Sequence, residues 1–155
     1  DNTIRELMID RGYDINTFKK KENIYSVTSI SQKCVILCEL DIKLKKNNIT
    51  DIIEEYELEN NDKLILIIKN RINISNDIDV NIEIFSKPLI NITKHSMVPK
   101  HEIVNDDELK ELNFEINKLP LILSTDPVSK WYNFKSGNIC KITRKNGSIF
   151  YRLIK

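Results

Sequence analysis

"KLILIIK" (residues 63–69) sets five consecutive apolar, mostly β-branched residues between two lysines. A run this short, with no polar residue to offer to water, predicts a strand buried on both faces. Such a strand needs neighbours on each side and cover above and below, so the flanking sequence must supply both. Upstream, "NITDIIEEYELEN" (48–60) predicts a helix capped by Asn48 or Thr50, with Ile52, Ile53 and Tyr56 along one stripe. Before it, "IYSVTSIS" (24–31) alternates apolar and polar residues, and "KCVILCELD" (33–41) is a β-rich run bounded by charge. Together they predict two strands joined as a hairpin. At the start, "NTIRELMIDRGYDI" (2–15) places Ile4, Leu7 and Met8 at helical spacing and stops at Gly12, a residue suited to the position just past a helix end. Downstream, "DVNIEIFS" (79–86) alternates again. Residues 1–88 therefore predict an α+β unit with a mostly β core.

After Pro88 the rhythm changes, and a domain boundary is expected near residues 86–90, giving units 1–88 and 89–155. "VNDDELKELNFEI" (104–116) predicts a short helix capped by Asn105, with acids in its first turn where the helix dipole favours them. "LPLILS" (119–124) predicts a short strand. In "TDPVSKWYNF" (125–134), Thr125 or Asp126 caps a helix with Pro127 at its first position. "NICKITRKNGSIFYRLIK" (138–155) predicts two strands across Asn146-Gly147, the strongest short-range hairpin signal. The second unit is thus a small α+β unit ending in a β-hairpin.

The chain has 155 residues, is 41% apolar and 30% charged, and carries a net charge of +1 from 24 basic and 23 acidic residues. That balance argues against a protein living mainly by phosphate contacts. No apolar stretch approaches membrane-spanning length, and no secretory leader opens the sequence, although Asp1 is not an initiator methionine. The three cysteines read as reduced thiols. The excess of Asn, Ile and Lys is what an AT-rich genome imposes.

Four chemistries compete for the remaining residues. Both histidines, His95 and His101, lie in "NITKHSMVPKH" (91–101), six apart and separated by Pro99, which rules out a regular helix and the zinc spacing it would carry. A metal site would need two more ligands, for which Cys34 and Cys38 share a strand face; inside an apolar run such cysteines read as core residues. Cys140 as a nucleophile lacks a helix N-terminus or glycine loop to activate it. Asp41-Ile42-Lys43, with Glu22 upstream, fits the short part of a magnesium-dependent nuclease motif, but Asp-x-Lys is a weak pattern in so charged a chain. The last reading is docking. Val98-Pro99 is a rigid segment flanked by two imidazoles, and the helix after Asp126-Pro127 presents Trp131 and Tyr132, residue types that anchor interfaces, although a core role for Trp131 is equally open.

Taken in order, "INIT-K-H-SMVP-K-H" (90–101), "DDELKEL" (106–112), Leu119-Pro120, "DPVSKWY" (126–132), Gly137, "CKI" (140–142) leading to Arg144, and "YRL" (151–153) resemble the assembly domain of the fifth subunit of eukaryotic RNA polymerases and its archaeal counterpart, which lacks the jaw. The resemblance implies a non-catalytic subunit of a multisubunit DNA-directed RNA polymerase, docked on the largest subunit and touching other polymerase subunits. The docking residues it implies are His95, Val98, Pro99, His101, Leu119, Pro120, Asp126, Pro127, Trp131, Tyr132, Gly137, Arg144 and Arg152. No metal, cofactor, small-molecule ligand or membrane partner is implied. More loosely, "IRELMIDRGYDI" (4–15) and "DKLILIIKN" (62–70) resemble the family's jaw domain, which lies near downstream DNA. Weak, nonspecific duplex contacts would then come from Lys19, Lys20, Lys21, Lys45 and Lys46. Two departures from the family, in residues 70–85 and in the short loop "RKNGS" (144–148), bear on that DNA-proximal surface rather than on docking. A trimmed jaw and AT-rich composition imply a large DNA virus (virion and host cytoplasm) or an AT-rich eukaryote (nucleus). The alternatives are a stand-alone magnesium-dependent nuclease and an adaptor derived from a polymerase component.

Overall fold

The computed structural model describes residues 2–38, 46–69, 78–112 and 115–155. The chain divides into two units, Asp1–Ile90 and Asn91–Lys155.

The first unit is built on a five-stranded mixed sheet. Its helix α1 (Asn2–Asp10) buries Ile4, Leu7 and Met8. It ends where Tyr13 N–H reaches back to the Met8 carbonyl and Gly12 N–H to that of Ile9, with Gly12 at φ 79°. This is the paired-bond termination that a left-handed glycine permits. The strands are β1 (Asp14–Lys21), β2 (Ile24–Thr28), β3 (Lys33–Cys38), β4 (Lys63–Ile68) and β5 (Asn81–Ser86), adjacent in that order. The hairpin expected over 24–41 forms as antiparallel β2 and β3, whereas β3, β4 and β5 run parallel. As the unbroken apolar run predicts, every residue of β4 is buried. Parallel pairing of β3 with β4 requires a crossover, which helix α2 (Lys46–Glu55) supplies.

Alternation along the strands sorts the core into two faces. Val35, Leu37, Leu64, Leu66 and Ile68 pack with Ile49 and Ile52 of α2 and with Leu58. On the other face lies a polar cluster. Arg11, just past α1, donates to both carboxylate oxygens of Glu83 at 2.8 and 2.9 Å, and Lys63 Nζ lies 3.3 Å from the same carboxylate. The side chains of Arg11 and Lys63 are each only 2% exposed. Burial pushes the Glu83 carboxyl up, but the Arg11 hydrogen bonds and charge, helped by Lys63, hold it below its ordinary value.

Strand β1 was not apparent from the sequence. "DINTFKKK" has no clean alternation, because an irregularity in its pairing with β2 interrupts the period of two and its last three residues are exposed lysines. Its register slips between Asp14 and Lys19, where the Asp14 side chain accepts from Asn16 N–H and Thr17 Oγ donates to the Asp14 carbonyl. The bulge and the exposed lysines guard the edge against pairing with another chain.

The second unit centres on a four-stranded sheet in the order β6-β8-β9-β7. These strands are β6 (Lys100–Ile103), β7 (Leu121–Ile122), β8 (Ile139–Thr143) and β9 (Ile149–Ile154). The Asn146-Gly147 hairpin joins β8 to β9, with Gly147 at φ 82°, and β6 is an addition that the sequence pattern did not reveal. Helix α3 (Asp106–Leu112) is capped by the Asn105 side chain, which accepts from Glu108 N–H. Having no buried residue of its own, it is held by Glu108, which accepts from Lys141 Nζ at 2.7 Å and Tyr151 Oη at 3.3 Å. Helix α4 (Pro127–Tyr132) starts at Pro127 and is capped by Asp126, the second of the two caps considered, accepting from Val128 N–H at 2.9 Å. It closes on Asn133 in the left-handed conformation, φ 57°.

Asp126→Ala should therefore unravel the first turn of α4 and cost about 1 kcal/mol. The check is the urea midpoint of the variant, with Asp126→Asn losing less because asparagine also caps helices.

Candidate functional site

One face of the second sheet carries Ile103, His101, Cys140, Ile142, Ile154, Arg152, Phe150 and Ile122, set in register by the pairing of β6, β8, β9 and β7. At one end Cys140, Ile142 and Ile154 form a buried cluster against Ile122 and Phe134. At the other end the face stays open as a groove of about 800 Å³. Its floor is Ile142, Phe150 and Arg152; one wall is Met97, Val98, Pro99 and His101, and the other runs from Leu121 to Val128.

The first wall is stiffened by its own backbone. Asn91 caps a single 3-10 turn (Ile92–Lys94) by accepting from Thr93 N–H, and Val98 N–H then bonds to the His95 carbonyl. The two histidines serve this segment separately. His95 Nδ1 accepts from Met97 N–H at 3.2 Å, while His101 Nδ1 lies 2.8 Å from the Pro99 carbonyl. A carbonyl can only accept, so the proton of neutral His101 is on Nδ1. His95 is exposed, whereas Val98, Pro99 and His101 are half-buried along the groove.

The opposite wall is tied to β9. Leu119 ends a 3-10 turn (Ile116–Lys118), and the Pro120 carbonyl accepts from Leu153 N–H. Arg152 Nη1 donates to the Leu121 carbonyl at 3.0 Å, covering the outer edge of β7. Arg144 lies over the Phe150 ring, 4.3 Å from its centre.

Of the residues expected to dock, Val98, Pro99, His101, Asp126, Pro127, Arg144 and Arg152 converge on this groove. Trp131 does not: at 1% exposure its indole belongs to the core and supports α4 from within. Tyr132 is half-buried and stacks on Phe134 at 5.2 Å. Gly137, at φ 92°, is a backbone device whose N–H holds the Ile154 carbonyl. Sequence reading missed Met97, Leu121, Leu123, Ile142 and Phe150 as lining residues. The alternation in "SIFYRLI" (148–154) carries the signal for Phe150, which stands 43% exposed.

The residues of the competing chemistries are placed as follows. Burial pushes the Cys34 thiol up to about 12 and the Cys140 thiol up to about 11, so both stay protonated at neutral pH and neither is an activated nucleophile. Among the described residues no three His, Cys, Asp or Glu side chains are grouped to hold a metal. Asp41, Lys43 and Lys45, and the stretch 70–77, lie outside the described residues; Lys46 begins α2. Glu22 sits in the tight turn between β1 and β2 at φ 52°. No helix among the described residues is long and apolar enough to cross a membrane. Lys19, Lys20 and Lys21 are exposed on β1; Lys20 lies over the Tyr25 ring and Lys21 pairs with Glu55 at 2.7 Å.

Residues 90–154 match the family described as RNA polymerase Rpb5, C-terminal domain. The chain is 43% identical over 77 residues to DNA-directed RNA polymerase subunit Rpo5 of Sulfolobus acidocaldarius, a match covering 44% of this chain and 92% of that subunit. With the Rpo5 subunit of Methanothermobacter thermautotrophicus it shares 43% identity over 72 residues, 41% of this chain and 94% of the relative. Identity to subunit 5B of DNA-directed RNA polymerases IV and V of Arabidopsis thaliana is 37% over 62 residues, 37% of this chain but only 28% of the plant subunit. The matched block is the unit that builds the groove, and nearly the whole of the archaeal subunits is covered by it; the chain belongs to the Rpb5/Rpo5 family of DNA-directed RNA polymerase subunits.

Proposed function

We propose that this chain is a non-catalytic subunit of a multisubunit DNA-directed RNA polymerase, working inside the cell, with its 91–155 unit seated on the largest subunit. The observation that carries this reading is the groove. It is assembled from segments of the block that matches the family, Val98-Pro99, Asp126-Pro127, Arg144 and Arg152, and apolar side chains such as Leu123 and Phe150 stand exposed along it. Exposed apolar surface with a polar rim is the usual form of a docking site. The 1–90 unit would then form part of the jaw around downstream DNA. The lysines of β1 support at most weak duplex contact there, of the nonspecific kind with Kd of about 10⁻⁴–10⁻⁶ M. The cell compartment follows the source: virion and host cytoplasm for a viral polymerase, nucleus for a eukaryotic one.

Pro99→Gly combined with His101→Ala tests the seat. Glycine frees the backbone that Pro99 holds, and alanine removes the bond from His101 to the Pro99 carbonyl. Retention in purified polymerase should fall by at least about 2 kcal/mol, roughly thirtyfold, the scale of interface hot spots. The melting temperature of the free protein should hold, because both residues are part-exposed. Full retention at unchanged melting would overturn the assignment of this segment to the seat.

A further inference from the structure

The groove is unequally charged. Arg144 and Arg152 line it against a single acid, Asp126, whose carboxylate already caps α4. Elsewhere in the same unit Lys100, Lys110, Lys118 and Lys141 each meet a carboxylate within 3.3 Å. Among the described residues neither groove arginine makes such a pair. Both are nonetheless restrained, Arg144 by stacking on Phe150 and Arg152 by its bond to the Leu121 carbonyl. A guanidinium has five N–H donors in a planar fork, so each retains edges suited to grip a carboxylate bidentately. Between and beside them Met97, Leu121, Leu123 and Phe150 are 83%, 48%, 58% and 43% exposed, an apolar area that calls for cover.

We propose that the groove receives an extended acidic peptide segment, whose carboxylates are held by Arg144 and Arg152 while a neighbouring aliphatic or aromatic side chain enters between Val98, Pro99 and Phe150. This rests on the docking reading above and names the chemistry of the partner at that surface. Two features set the mode of binding. The outer carbonyl of β7 at Leu121 is occupied by Arg152, so the segment is held through side chains rather than by adding a strand there. Most of the side chains that line the groove are apolar, which suits a peptide anchor better than a phosphate backbone, for which two arginines offer little.

The test uses the full chain, isotopically labelled, titrated with three capped peptides and followed by amide resonances. The first is Gly-Asp-Leu-Glu-Phe-Asp-Gly; the second replaces each acid by its amide, and the third replaces each by lysine. The acidic peptide should shift Met97, Ile142, Phe150 and Arg152 saturably, and bind at least about tenfold tighter than the amide form, as charge-assisted pairs imply. The preference should shrink from about 0.1 M to about 1 M salt, as the screening length falls from about 10 Å to about 3 Å. Arg144→Glu with Arg152→Glu should invert the order in favour of the lysine peptide, a result that a merely unfolded variant cannot give. Exposed Arg144→Glu alone should give a partial loss at unchanged melting temperature. Equal affinity for acidic and amide peptides, absence of shifts at the groove, or tighter binding of an oligothymidine strand would each overturn the proposal.

The polymerase reading is decided separately by retention. Wild-type chain retained with the double variant lost supports both. Equal retention of the two keeps the polymerase subunit and overturns the acidic occupant. Failure of the wild-type chain to be retained overturns the polymerase reading, and the peptide titration still decides the groove.

Discussion

Glu83→Ala should destabilise the 1–90 unit by about 3–5 kcal/mol, the cost of removing one partner from a buried ion pair. Arg11 and Lys63 are almost wholly enclosed, and the variant takes away the carboxylate they share. Urea titration followed by amide resonances of this unit measures the loss. A triple change, Arg11→Met, Lys63→Leu and Glu83→Leu, should recover most of it, since apolar replacement of a whole buried ionic cluster is often neutral or stabilising. The pH dependence has a definite sign. The folded-state pKa of Glu83 lies below its unfolded value, so its contribution is fully present above the unfolded pKa and is lost as pH falls through the folded one. Glu83→Gln should flatten that part of the stability profile below pH ~5. A wild-type acid limb unchanged in Glu83→Gln would show that the cluster is not what titrates.

Trp131→Ala should largely unfold the 91–155 unit. Truncating a buried tryptophan costs about 3–5 kcal/mol, and a unit of this length has only about 3–10 kcal/mol in total. Amide resonances of residues 91–155 should collapse toward random-coil positions, with those of the 1–90 unit as internal reference. Tyr132→Ala, on the half-buried side of the same helix, should cost much less. If the two variants melted alike, the indole would not be the centre of this small core.

What could be read from the sequence was what local physics specifies. The β4 run needed no partner to declare itself, because only burial on both faces tolerates five apolar residues in a row. Gly12, Asp126-Pro127 and Asn146-Gly147 each mark a termination, a cap or a turn within a few residues of their effect. Edge strand β1 was hidden because the bulge between Asp14 and Lys19 breaks its alternation. The Arg11, Lys63 and Glu83 cluster was hidden for a different reason: each residue alone looks like an ordinary surface charge, and only the parallel register of β4 with β5 brings the last two together. The groove falls between these cases. Its Val-Pro wall and its arginines could be named from resemblance, but its floor depends on which face β8 and β9 turn toward the 92–101 segment.

The strand order of the second sheet also bears on how the unit comes into being. Among the described residues β6 pairs only with β8, and β7 only with β9, so these two strands, which precede the hairpin in the chain, have no sheet partner there until it exists. On the ribosome, both walls of the groove emerge before the hairpin that carries their floor. The complete groove is therefore absent from any nascent chain that has not released Ile149–Ile154. The proposed engagement of a partner through this groove is in consequence timed by the appearance of that hairpin.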